Sequence, residues 1–127
     1  MNNPKIPTKI QLHKQSQQLE LHFGSEHFLL PAEFLRVHSP SAEVKGHGPN
    51  QAILQHGKQA VQITKIERAG NYALKLIFDD GHETGIYTWE YFYELGANQT
   101  KLWDEYLSAL HGAGKSRLKD TSVVKFV

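Results

Sequence analysis

Five residues within a ten-position stretch carry chemically capable side chains: His38, Ser39, Ser41, Glu43 and His47. A second group follows at Asp79-Asp80-Gly81-His82-Glu83. Neutral imidazoles together with a carboxylate suit a transition metal, so His38, His47 and His56, with Glu43, Asp80 and His82 approaching in space, form one candidate ligand set. No tight His-x₃-His pair accompanies them, and the bland reading is a set of solvated loop side chains. Asp79, Asp80 and Glu83 beside His82 could do acid–base work. Asp-Asp-Gly is also turn chemistry, in which the carboxylates accept hydrogen bonds from nearby backbone amides. That reading is the stronger one, so no catalytic residue is assigned.

The chain has no cysteine among its 127 residues, which removes thiolate zinc, disulfides, redox pairs and cysteine nucleophiles. Ser16, Ser25 and Ser108 have no His or acid at a suggestive spacing, so a serine triad has no support. Lys45-Gly46-His47-Gly48-Pro49 is glycine-rich without the spacing of a phosphate loop. Lys and Arg number 14 against 13 Asp and Glu, which argues against a dedicated nucleic-acid binder. No apolar run approaches the roughly 20 residues of a membrane span, and the first residues lack a secretory apolar core. A cytoplasmic protein without membrane association is the expectation.

Apolar residues at 39% and charged residues at 21% describe one globular domain. Its elements can be read from period. Ile10 and Leu12, then Leu19, Leu21 and Phe23, alternate with polar residues on either side of Gln15-Ser16-Gln17, which predicts a hairpin with one buried face. A third strand follows at 27–30. Proline at the first position of a short helix over 31–37 costs no hydrogen bond, and Pro40 should end that helix. Residues 39–59 are irregular. Strand character returns at 61–66, with a slip of phase between Ile63 and Ile66 that predicts a bulge. Tyr72, Leu74, Leu76 and Phe78 share one face of an expected central strand. Asp79 to His82 should form a hairpin turn into a strand over 83–87. Thr88 is placed to cap a helix stopped by Gly96, and Asn98 to cap a second over 99–111, ended by Gly112. Of the aromatic run Tyr87, Trp89, Tyr91, Phe92 and Tyr93, half should build the core, leaving Tyr87 or Tyr91 as an exposed contact.

Strand runs precede helix runs, which predicts an α+β fold: an antiparallel sheet of five or six short strands, one short early helix and two C-terminal helices on one face. Residues 1–7 should be a loose lead-in, 8–112 the domain, and 113–127 a flexible tail. In that tail Val123-Val124-Lys125-Phe126-Val127 is a candidate docking strand. Truncation after Gly112 is expected to leave the melting temperature nearly unchanged.

From about Pro7 to Gly96 the chain resembles the gamma-butyrobetaine hydroxylase-like N-terminal domain family. The resemblance rests on Leu30-Pro31 with Leu35-Arg36-Val37, on Ser39-Pro40-Ser41-Ala42, and on Gly70-Asn71-Tyr72-Ala73-Leu74. It continues through Asp79-Asp80-Gly81-His82 followed by Gly85-Ile86-Tyr87-Thr88-Trp89. It implies a Cys₃His zinc site whose sulfur positions here are Ser39, Ser41 and Val44, with His82 the surviving ligand. Hydroxyls are poor zinc ligands and valine is none, so the expectation is loss of that zinc and no resident cofactor, with only a weak His-based site conceivable. The family domain occurs alone, ahead of Fe(II)/2-oxoglutarate oxygenases, and on ATP-dependent iron–sulfur carriers. No oxygenase His-x-Asp motif or Walker loop accompanies it here. The resemblance therefore implies a non-catalytic accessory module that binds a protein partner. The alternatives are metal binding, an iron–sulfur-assembly accessory, or a partner domain for an oxygenase. Candidate binding residues are His38, Ser39, Ser41, Glu43, His47, Asp80, His82 and Tyr87.

Overall fold

The computed structural model describes residues 6–46, 48 and 51–119. It is an α+β fold whose strands form two antiparallel sheets of three, ordered β1-β2-β3 and β4-β5-β6. The sequence had pointed to one sheet. Two short helices and a long irregular segment separate the strand groups, and β3 and β4 each end as sheet edges. Each group therefore closes as a local meander, which strand-by-strand alternation cannot distinguish from a continuous sheet.

The first sheet comprises β1 (Lys9–His13), β2 (Gln18–Phe23) and β3 (Glu26–Pro31). Leu12 faces Leu19, and Leu19 faces Leu30, so one side of the meander is a continuous apolar surface. The second comprises β4 (Ile63–Ala69), β5 (Ala73–Phe78) and β6 (Gly85–Thr88), with β5 central as expected. The register of β4 shifts between Ile63 and Lys65, at the phase slip read from the sequence. Leu74, Leu76 and Phe78 are buried, but Tyr72 lies before the strand and is exposed. Gln17 ties the two sheets together: its side-chain Oε1 accepts from Ile63 N at 2.7 Å, and its backbone O accepts from Ala32 N at 2.9 Å. It holds φ at 55° to do so. That conformation is uncommon for a residue with a Cβ and suits a tight connection.

Helix α1 (Ala32–Val37) begins one residue later than proposed, with Pro31 as its N-cap, and every one of its residues is buried. A one-turn helix α2 (Ala42–Lys45) stands within the stretch read as irregular, capped by Ser41 Oγ accepting from Glu43 N. Helix α3 (Trp89–Ala97) is capped by Thr88 as expected, with Oγ1 accepting from Tyr91 N at 3.0 Å. Helix α4 (Gln99–Ala113) runs past Gly112 and terminates at Gly114, whose φ of 67° is left-handed. Asn98 sits at its start, but the side chain turns back and donates to Glu94 O, so no side-chain cap forms on α4.

Gly96 does not stop α3. A Cβ there would lie 2.4 Å from Phe28 Cγ, so the bare backbone is what lets α3 lie on the β3 ring. In an open helix Gly→Ala stabilises by up to about 1 kcal/mol. Here the clash outweighs that gain, and we expect Gly96→Ala to destabilise by about 1–2 kcal/mol. A higher melting temperature in the variant would contradict this packing.

The core joins both sheets to the helices through Leu19, Leu21, Leu30, Leu76, Tyr87 and Phe92, each fully buried. Within the segment expected to be flexible from 113 onward, residues 116 and 117 bond to the domain. Gly57 N donates to Ser116 O at 2.8 Å and Gln59 N to Arg117 O at 3.0 Å. Arg117 also makes a two-pronged ion pair with the buried Glu33 carboxylate. The low apolar content gave no sign of this, because the anchor is a charge pair. The proposed docking strand at 123–127 lies outside the described residues. Among the described residues no helix is long and apolar enough to cross a membrane.

Candidate functional site

Helix α1 and the 79–84 turn face each other across a buried polar cluster. Pro40 prevents α1 from continuing, so Ser39 leaves the helix fully buried, and its Oγ lies 2.8 Å from His82 Nε2. On the other side of the ring, His82 Nδ1 lies 3.0 Å from Glu43 Oε1. Ser41 N donates to Ser39 Oγ at 3.2 Å, and Ser41 Oγ pairs with Thr84 Oγ1 at 2.8 Å. The short α2 exists because Ser41 caps it, and that turn of helix carries Glu43 to His82.

Asp80 anchors the turn. Its Oδ1 accepts from His82 N at 3.1 Å, which fixes the imidazole's backbone. Its Oδ2 accepts from Arg36 Nε at 2.8 Å and from Lys58 Nζ at 2.5 Å. Burial works against the Asp80 carboxylate, but hydrogen bonds from Lys58, the His82 amide and Arg36 outweigh it and lower its pKa to about 2. Arg36 is itself buried on α1, so Asp80 is the partner that makes a buried guanidinium tolerable.

His82 is only 5% exposed, and burial followed by the nearby Arg36 charge moves its pKa below the ordinary value despite Glu43. The neutral ring that donates from Nδ1 to Glu43 and accepts the Ser39 hydroxyl at Nε2 satisfies every partner. His38 is lowered in the same direction, again chiefly by burial. In the unfolded chain both imidazoles take up a proton first as pH falls, so the folded state binds fewer protons in that range. Their contribution to stability is present above an unfolded pKa of about 6.5 and is lost as pH falls through the lower folded values. We therefore expect the melting temperature to fall between pH 7.5 and pH 5, and to fall less in His82→Gln. An equal fall in that variant would remove His82 as a cause.

The order hydroxyl, imidazole, carboxylate in Ser39–His82–Glu43 is that of an acyl-transfer triad. The burial differs, however. Ser39 has no exposed surface, and a Cβ on Gly85 would lie 2.6 Å from its Oγ. The arrangement works as a polar clasp holding segment 39–43 to segment 82–84. All three residues stand out as candidates in the sequence, but their pairing is not readable from spacing, because His82 lies 43 residues from Ser39. The usable signal was Arg36, a charge inside an apolar helix that requires a carboxylate partner.

The other site residues fall as follows. Tyr87 is fully buried and donates its hydroxyl to Leu35 O, which corrects its reading as an exposed contact. The alternation of β6 turns it inward, while Ile86 faces solvent. Tyr91 is partly buried, donates to His38 O at 2.6 Å, and has its pKa raised by burial to about 12. His38 Nδ1 donates to Phe34 O at 2.9 Å. His47 lies outside the described residues.

Beside the clasp runs an open, mainly apolar groove of about 440 Å³, lined by Val37, Val44, Ile53, Leu54, Tyr91 and Tyr106 among others. Lys45 overhangs it, with Nζ 4.5 Å from the centre of the Tyr91 ring. Ile53 is 57% exposed along its wall.

Two sheets of three strands, an α1 that ends in a polar clasp, and a short turn bearing the opposing His define a small α+β domain. Residues 10–93 match the family model described as gamma-butyrobetaine hydroxylase-like, N-terminal, and the chain belongs to that family. Two proteins solved in solution by NMR are similar over nearly their whole length. One is 55% identical with a TM-score of 0.83, covering 98% of this chain and 99% of that one. The other is 45% identical with a TM-score of 0.77, covering 99% and 95%. A crystal structure from Acidithiobacillus ferrooxidans, described as a protein of unknown function in the DUF971 family, is 34% identical. Its TM-score is 0.62, covering 76% of this chain and 99% of that one. No curated protein matches.

The residues present do not fit the Cys₃His zinc site implied by the family resemblance. Ser39 and Ser41 offer neutral hydroxyls already engaged with His82 and Thr84, Val44 offers no donor, and both His82 nitrogens have protein partners. Among the described residues no three His, Asp or Glu side chains gather where they could hold an ion.

Proposed function

We propose that this domain is a non-catalytic accessory module that binds a protein partner through the groove beside residues 38–48. The groove itself carries the reading. It is open and largely apolar, it presents aromatic side chains, and it is built on a segment held rigid by the Ser39–His82–Glu43 clasp. Loops positioned by a rigid scaffold commonly carry binding, and aromatic residues dominate contact energetics. Five nearby ionisable groups pair with one another, Arg36 and Lys58 with Asp80 and His82 with Glu43, instead of converging on the cavity as an enzyme site requires. No resident metal and no nucleic acid enters this reading.

The test is site-specific photo-crosslinking in cells, with the probe at Ile53 on the groove or at Leu29 on the outer face of the first sheet. The expected result is a discrete adduct from position 53 that is absent from position 29 and weakened by Lys45→Glu. Equal crosslinking from both positions, or indifference to Lys45→Glu, would defeat the assignment of this surface.

A further inference from the structure

Arg117 occupies a site with the features of a guanidinium receptor. Between α1 and the start of α4 lies a cavity of about 340 Å³ lined by Glu33, Phe34, Thr100, Trp103, Asp104 and Arg117, among others. Glu33 sits on the wholly buried α1 and is itself only 7% exposed. Both of its carboxylate oxygens accept from one guanidinium, Arg117 Nε to Oε2 at 2.8 Å and Nη2 to Oε1 at 2.7 Å. The same guanidinium lies 5.2 Å from the centre of the Trp103 ring. A buried carboxylate that takes both prongs of the fork, under an aromatic face, recognises guanidinium specifically and ammonium poorly. Asp104, exposed on the rim, adds a second negative charge.

The burial is divided as between a site and its ligand. The Glu33 side chain is 7% exposed and the Arg117 side chain 37%. Arg117 arrives on a segment outside the family-matched residues 10–93, joined to 57–59 by two backbone hydrogen bonds. We propose that this is a guanidinium-binding site that the chain fills in cis with Arg117, and that an arginine-bearing segment of a partner enters it in trans when residues 115–119 lift. Its walls differ from those of the groove beside residues 38–48, so either surface can fail without the other. A tethered occupant competes at an effective concentration in the millimolar range. The trans ligand must therefore bind the intact chain more weakly than a chain lacking Arg117.

The experiment uses the full chain and Arg117→Ala, with agmatine as the guanidinium probe and putrescine as the matching amine without it. Agmatine should raise the melting temperature of Arg117→Ala by several degrees and perturb the Trp103 indole N–H resonance. Putrescine should do neither, and Glu33→Gln in the Arg117→Ala background should abolish both effects. A pentapeptide of the sequence Lys-Ser-Arg-Leu-Lys should bind Arg117→Ala at least ten-fold more tightly than the unaltered chain, and the unaltered chain detectably. If Arg117→Ala does not fold, Arg117→Lys keeps the charge without the fork and serves in its place. No response to agmatine, an equal response to putrescine, or a response that survives Glu33→Gln would overturn the site. Failure of the peptide to bind the unaltered chain would overturn entry in trans.

Discussion

Truncation after Gly112 should lower the melting temperature by roughly 10 °C, a reversal of what composition alone suggests. The segment that follows is poor in large apolar side chains, and ordering backbone costs roughly 1–2 kcal/mol per residue. On that basis a free tail was the natural reading. The structure supplies a compensating term of another kind. The Glu33 carboxylate is buried on α1, and Arg117 completes two charge-assisted hydrogen bonds to it. Removing the guanidinium leaves a buried anion without its partner. Breaking a fully buried pair costs about 3–5 kcal/mol, and the partial exposure of Arg117 places this one lower, at about 2–3 kcal/mol. Thermal melts of the truncated chain and of Arg117→Ala should agree to within a few degrees, because most of the loss belongs to one side chain. Glu33→Gln combined with Arg117→Ala should recover part of it, since neither member is then charged. A truncated chain that melts with the full-length protein would show that the pair contributes nothing.

The second large effect concerns the clasp. Replacing Ser39, Ser41 and Val44 together by cysteine should install a zinc site with His82 as the fourth ligand. Ser39 Oγ already lies 2.8 Å from His82 Nε2, and Ser41 and Val44 are both buried in the same segment. Three thiolates and an imidazole form a closed tetrahedral set, and binding free energy at such a site is folding free energy. The triple variant should hold one zinc per chain by elemental analysis and melt more than 10 °C higher with zinc than with a chelator. His82→Ala in that background should remove most of the gain. The unaltered chain, prepared without a His tag, should show no chelator-dependent change. If the triple variant binds no zinc, then segment 39–44 and His82 are not arranged as a metal framework, and the clasp has its own geometry.

Much of this architecture was legible in the residues. Alternation located the strands, and β5 was identified as central because Leu74, Leu76 and Phe78 give an unbroken period of two. The β4 bulge showed as a break in phase, and the Thr88 cap as a hydroxyl before an aromatic helical stripe. Each of these signals is local, a consequence of backbone period and side-chain type within a few residues. The family was legible for the same reason, since short motifs recur in order.

What the chain alone left open depends on contacts between distant positions. Period two places Tyr87 on one of two faces but does not say which face a helix will cover, so the residues alone leave Tyr87 and Tyr91 as alternative exposed contacts, and packing buries Tyr87. The pairing of Glu33 with Arg117 and of Arg36 with Asp80 spans 84 and 44 residues. No local pattern encodes such a pair, and only chain closure brings its members together. The same holds for the clasp: the family resemblance puts Ser39, Ser41, Val44 and His82 where metal ligands would stand, while tertiary structure decided that Ser39, His82 and Glu43 satisfy one another. Buried polar groups must find partners or cost free energy, and without thiolates the nearest available partners were each other.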